Sequence, residues 1–97
     1  MIHHIVCFRF KPGTADAAIT AAADALYGML GRIPEVRAVR WGPNFAPSAG
    51  DYSHVLTVVL DDMAAVRRYL EHPAHVEVVQ QYIAPIREAR LALDIEA

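Results

Sequence analysis

Hydrophobic and polar positions alternate from the first residues of the chain. In HHIVCFRFK (3–11), His4, Val6, Phe8 and Phe10 share one face, and His3, Ile5, Cys7, Arg9 and Lys11 share the other. A period of two among β-branched and aromatic residues predicts a strand. KPGT is a turn, with Thr14 the expected N-cap and Asp16 in the first helical turn. The alanine-rich stretch ADAAITAAADALYGML (15–30) predicts a helix whose packed face carries Ile19, Ala22, Leu26 and Leu30, stopped by Gly31 and Pro34.

EVRAVRWG (35–42) reads as a second strand with looser alternation, and PNFAPSAGD (43–51) as a loop. YSHVLTVVL (52–60) is a clear strand, with His54, Leu56, Val58 and Leu60 on one face. DDMAAVRRYL (61–70) predicts a helix capped by Asp61 or Asp62. HPAHVEVVQQYIAPI (72–86) predicts a second, connected helix, with Val76, Val79, Ile83 and Ile86 in register and Pro85 shortening or bending its end. RLALDIE (90–96) closes the series as a strand, with Leu91, Leu93 and Ile95 on one face.

The order β-α-β-β-α-β builds an antiparallel sheet with helices on one side, a ferredoxin-like α+β sandwich. No repeat, low-complexity tract or linker interrupts it, so residues 1–97 read as one domain. The opposite sheet face carries Ile5, Cys7, Val55 and Val59 with nothing in the chain to cover it. A domain of 97 residues, 55% of them hydrophobic, has more apolar surface than one small core needs. The expectation is a homodimer in which two sheets pack face to face.

Charge and cysteine content narrow the setting. The net charge is −2 and the nine Lys and Arg residues form no basic stripe, which argues against nucleic acid as a partner. A single cysteine, Cys7, cannot staple the chain to itself, which fits a reducing compartment. No stretch approaches the ~18 apolar residues of a membrane span, and the first ten residues lack the features of a signal peptide. A soluble, cytoplasmic protein is expected, without a membrane partner.

The candidate chemistry lies in EHPAHVEVV (71–79). Proline is favoured at the first helical position, so Pro73 there makes His72 the N-cap and puts His75 at the third helical position. The two imidazoles then straddle the helix boundary. A zinc pair on a helix needs i, i+4 spacing and further ligands, and no cysteine or spaced acid supplies them, so no metal is expected. Two readings of His75 stand side by side. In one it is a general base, kept neutral by the positive end of the helix, with the phenol of Tyr69 folded toward it across the helix break. In the other, His72-Pro73 only ends one helix and starts the next, and His75 bonds to backbone and solvent. His4 and His54 sit on apolar strand faces near strand starts, where each is either a core histidine or a pocket member. Phe8, Phe10, Trp41 and Tyr27 read as core. No dinucleotide, P-loop, nucleophile-elbow or Cys-x-x-Cys motif is present.

Taken together, HIVCFRFKPGT, YSHVLTVVLDD and YLEHPAHVEVV resemble the dimeric α/β-barrel family, also called stress-responsive A/B barrel (Dabb) proteins. The resemblance spans nearly the whole chain, and HPAHV is its most specific piece. It implies a ferredoxin-like monomer and a homodimer whose sheets form a barrel. Many members are stress-induced or uncharacterised; one branch closes linear poly-β-ketones by aldol condensation without a cofactor. The resemblance implies His75 as catalytic base, Tyr69 as its phenol partner, and His4 and His54 as substrate-binding residues, with no cofactor or metal. Val78 stands where the family often has an aromatic, and the 42–54 loop differs from that of the plant cyclases, so the substrate does not carry over. The expectations are then a cofactor-independent cyclase or lyase acting on a small β-keto or polyketide-like compound, or a non-catalytic homodimer that binds a hydrophobic ligand or serves in stress tolerance. An oxygen- or haem-handling enzyme of a related barrel family finds no axial-ligand motif.

Overall fold

The computed structural model describes residues 1–97. Four strands form one antiparallel sheet in the order β2-β3-β1-β4: β1 Ile2–Phe10, β2 Ala38–Pro43, β3 His54–Leu60 and β4 Arg87–Glu96. Helix α1 spans Asp16–Tyr27, α2 Met63–Glu71 and α3 Pro73–Val78, the last running into a π-helical turn at Val79–Ile83. This is the expected ferredoxin-like α+β architecture. No helix is long and apolar enough to cross a membrane.

Period-two alternation in β1 puts Ile2, His4, Val6 and Phe8 against the helices. They meet Leu56, Val58 and Leu60 of β3, and Ala22 and Leu26 of α1. Met29, Ile33 and Val36, between α1 and β2, complete that side of the core. Each fully buried side chain of this size contributes about 1.5–3 kcal/mol relative to exposure.

Three local expectations change. Thr14 does not cap α1: its hydroxyl donates to the Lys11 carbonyl at 2.6 Å, and Ala15 takes the N-cap position without a side-chain bond. The helix ends at Tyr27, so Leu30 is exposed and Met29 fills the core instead. In the second helical region the buried positions are Ala74, Val78 and Ile83, while Val76 faces outward. The steps of four and then five follow from the π-helical turn, closed by Ala84 N–H donating to Val79 C=O at 2.7 Å. A regular helix would turn Tyr82 inward where Ile83 now lies.

The outer sheet face carries no helix. Across β1 and β4 it pairs His3 with Ile95, Ile5 with Leu93 and Cys7 with Leu91. Leu91, Leu93 and Ile95 are each about half exposed. β4 itself begins three residues earlier than its alternation suggests, because pairing with β1 shifts by one residue between Arg9 and Phe10.

Candidate functional site

The site forms where α2 gives way to α3. Asp62 caps α2 by accepting from Ala65 N–H at 2.8 Å, which fixes the helix that carries Tyr69. Before Pro73 the backbone of His72 turns extended, with ψ of 135°, as a residue preceding proline prefers. His72 also caps α3: its Nδ1 accepts from Ala74 N–H at 3.0 Å. The chain reverses enough at this break for His75 to meet Tyr69, with ring centroids 4.6 Å apart and planes tilted by 55°.

His75 is held through one ring nitrogen. Its Nδ1 lies 3.0 Å from the carbonyl oxygen of Leu70. A carbonyl only accepts, so Nδ1 carries the proton and Nε2 is left with a lone pair. Burial, foremost, holds this imidazole below the ordinary histidine range; the Leu70 carbonyl opposes it, and the charges of His4 and Arg90 push the same way as burial. The sequence reading expected a neutral imidazole because of the helix dipole. Burial in the cavity wall is the larger cause, and α3, at six residues, offers only a short dipole.

Tyr69 is 1% exposed, and burial pushes its phenol well above the usual tyrosine value. The hydroxyl therefore stays protonated through neutral pH. His4 lies on the inner face of β1, 5% exposed, with its ring edge-on to Tyr69 at 5.9 Å. Its Nδ1 is 2.6 Å from Oδ1 of Asp94, the residue opposite it on β4. A carboxylate accepting at Nδ1 leaves Nε2 as the free nitrogen of His4.

These groups line one cavity of about 240 Å³. Its apolar wall includes Val6, Phe8, Leu26, Leu56, Val79 and Ile83, and its polar members are His4, Tyr69, His75, Arg87 and Arg90. The volume lies below the ~300–1,000 Å³ of drug-sized ligand pockets. No three His, Cys, Asp or Glu side chains stand close enough to share a metal ion. His72 and His75 each spend Nδ1 on a backbone group.

The structure thus brings together His4, Tyr69 and His75. His54 does not join them: it is not among the residues lining the cavity. Its ring stacks on Trp41 and tilts against Phe10, both at 5.4 Å, and its Nδ1 bonds with Ser53 Oγ at 2.8 Å. Burial alone lowers its pKa. Tyr27, expected in the core, is surface-exposed and instead accepts from Trp41 N–H at 3.0 Å.

Asp94, Arg87 and Arg90 escaped the sequence reading. Asp94 had a signal: with Leu91, Leu93 and Ile95 on one face of β4, a carboxylate at 94 must face the helices. Arg90 had the same signal, on the same face of the predicted strand as Asp94; Arg87 had none, because residues three apart in a regular strand point to opposite faces.

With this geometry in hand, the comparisons with known proteins are specific. Residues 2–97 match the family model described as the stress responsive A/B barrel domain, Dabb. The chain belongs to the stress-responsive A/B barrel (Dabb) family. An uncharacterised Streptomyces coelicolor protein is 31% identical over 77 residues, 77% of this chain and 79% of that one. The olivetolic acid cyclase of Cannabis sativa is 23% identical over 77 residues, 77% of this chain and 76% of the cyclase. Among solved structures, an Arabidopsis thaliana protein superposes with a TM-score of 0.92 at 22% identity, covering all of this chain and 95% of that one. A dimeric ferredoxin-like protein of unknown function from Thermobifida fusca superposes at 0.84 with 27% identity, covering 99% and 90%. The hydroxynitrile lyase of Passiflora edulis superposes at 0.86 with 19% identity, covering 97% and 90%. Proteins similar to this chain thus include one named as a cyclase, and its fold is shared by one named as a lyase and by others of unknown function.

Proposed function

We propose that this Dabb protein is a cofactor-independent acid–base enzyme of the cyclase or lyase type, acting as a homodimer on a small β-keto compound. One observation carries the reading: His75 and Tyr69 touch inside the same cavity, with His75 pinned through Nδ1 so that Nε2 is the basic nitrogen.

In this reading Nε2 of His75 removes a proton from the methylene between two carbonyls. The C–H electron pair moves into the adjacent carbonyl, giving an enolate. Tyr69 donates its hydroxyl hydrogen bond to the enolate oxygen, where charge develops. The enolate carbon then attacks a second carbonyl of the same molecule, and the His75 imidazolium returns the proton to the new alkoxide. Protons and electrons balance without a redox partner. His4, steadied by Asp94, orients the substrate from the sheet side. A neutral base and a protonated donor are the states that the lowered His75 and raised Tyr69 pKa values favour.

The homodimer rests on the outer sheet face, where Ile5, Cys7, Leu91 and Leu93 lie uncovered in one chain. The Thermobifida fusca relative with this fold is described as dimeric.

The direct test presents short linear poly-β-keto acids to the protein and follows loss of the linear diketone and appearance of a ring product. Turnover by the wild type that falls at least ~100-fold in both His75→Ala and Tyr69→Phe supports the reading. Equal turnover in wild type and both variants sinks it. Saturable binding without turnover favours the non-catalytic alternative, a dimer that holds a hydrophobic ligand, for which the mainly apolar cavity wall speaks.

A further inference from the structure

We infer that Arg87 and Arg90 form an anion-binding wall of the cavity, and that the small molecule it takes is a carboxylate, a β-keto acid rather than a neutral diketone. The inference rests on the proposed acid–base reading and narrows its substrate class.

The placement follows from an irregularity in the sheet. Phe8 pairs with Arg90 and Phe10 with Arg87, while Arg9 pairs with Ala89. Glu88 is therefore an extra residue on β4, a β-bulge. Phe8 and Phe10 both face the helices, so both arginines face them too, although three positions apart. Glu88, freed from the inner face, pairs instead with Arg9 at 3.2 Å.

Neither guanidinium is compensated. The ion pairs of the chain join Arg9 to Glu88, Arg32 to Glu77, Arg37 to Asp61, Arg68 to Glu35 and His4 to Asp94. Arg87 and Arg90 appear in none, yet both line the cavity. Of the carboxylates on the same strand, Glu88 is paired with Arg9 and Asp94 with His4. Two unpaired guanidinium groups beside apolar walls offer a forked set of donors that matches a carboxylate. The cavity, about 240 Å³, leaves room for a short acid. With the carboxylate on the arginines, its activated methylene extends toward the wall shared by Tyr69 and His75.

The test uses two small probes of similar shape, acetoacetate and neutral acetylacetone, with inorganic phosphate as a competing anion. Binding is measured by calorimetry and by the shift of the histidine ring signals in NMR. Acetoacetate is expected to bind at least ~10-fold more tightly than acetylacetone. Arg87→Gln and Arg90→Gln should each weaken acetoacetate about 10- to 100-fold and leave acetylacetone unchanged. Arg90→Lys should restore part of the loss, since it keeps the charge but not the fork. A bound carboxylate should also raise the titration midpoint of His75 in the wild type and not in Arg90→Gln. Melting curves establish that each variant is folded.

Equal binding of the two probes, or arginine variants that bind acetoacetate like the wild type, overturns the inference. So does displacement of acetoacetate by equimolar phosphate, which would make the wall a general anion site. Failure of the two readings separates cleanly. Arginine-dependent binding that persists in His75→Gln, with no turnover in the wild type, removes the enzyme and keeps the anion wall. Turnover of neutral diketones equal in wild type and arginine variants removes the wall and keeps the enzyme.

Discussion

The imidazole of His75 is bound to the chain five residues before it: Nδ1 donates to the carbonyl oxygen of Leu70 at 3.0 Å. That carbonyl belongs to the last turn of α2, which the break at His72-Pro73 leaves without its usual partner. One hydrogen bond thus closes the end of a helix and selects the tautomer of a cavity-lining histidine.

For the proposed acid–base enzyme, a pH dependence of turnover follows. With its pKa held below the ordinary histidine value, His75 is already neutral at pH 7. The acid limb of kcat/KM should fall below about pH 6.5 and the profile should stay flat from there to about pH 9. Arg90→Gln removes one of the charges that depress His75, so the acid limb should move up in pH. A limb that stays in place would detach Arg90 from the base.

Stability should change in the same window. A histidine whose folded pKa lies below its unfolded one is protonated first in the unfolded chain. Stability is therefore full above about pH 6.5 and declines as pH falls from there through the folded value. His54 is depressed by burial as well and adds to the slope. Urea unfolding at a series of pH values should show this decline, and a double substitution, His54→Gln with His75→Gln, should flatten it. An unchanged slope would mean that neither ring is buried neutral.

Asp94→Asn tests the brace behind His4. Hydrogen bonds to a charged group contribute about 1.5–3 kcal/mol, and partial exposure of Asp94 argues for the lower end. Melting should drop by a few degrees, and the His4 ring signals should shift. If His4 orients substrate, KM should rise more than kcat falls; a change in melting alone would make the pair purely structural.

Leu93→Asp addresses the outer sheet face. Leu93 sits opposite Ile5 in the middle of the β1–β4 ladder and is 46% exposed. If two sheets pack there, an aspartate places an unpaired charge in the interface and should convert a dimer to a monomer in sedimentation or light scattering. A wild type that sediments as a monomer at micromolar concentration removes the face-to-face dimer altogether.

The sequence carried the order of elements and the inner faces of β1 and β3, because strands with one covered face advertise it through alternation. It also carried the His72-Pro73 boundary, where proline and its preceding residue have few conformations to choose from. Two misplaced registers share one cause. The π-helical turn at Val79–Ile83 and the bulge at Glu88 each add a single residue, and a periodic pattern read across an insertion goes out of phase. Hence the pattern points Val76 inward and not Val78, and leaves Arg87 outside the last strand. His54 misled for another reason: an inward histidine near a strand start shares its face with the pocket yet lies behind Trp41 and Phe10.

The bulge on β4 decides the sign of the charge offered at one wall of the cavity. In an unbroken ladder, Glu88 would stand opposite Phe10 and face the helices, and Arg87 would turn to the outer sheet face. The same residues in the same order would then present a carboxylate where they now present a guanidinium. The charge of this wall is written in a count of residues as much as in their kinds. Loss of one residue from this edge strand would set a carboxylate beside Arg90 on that wall and cancel its charge without a single substitution.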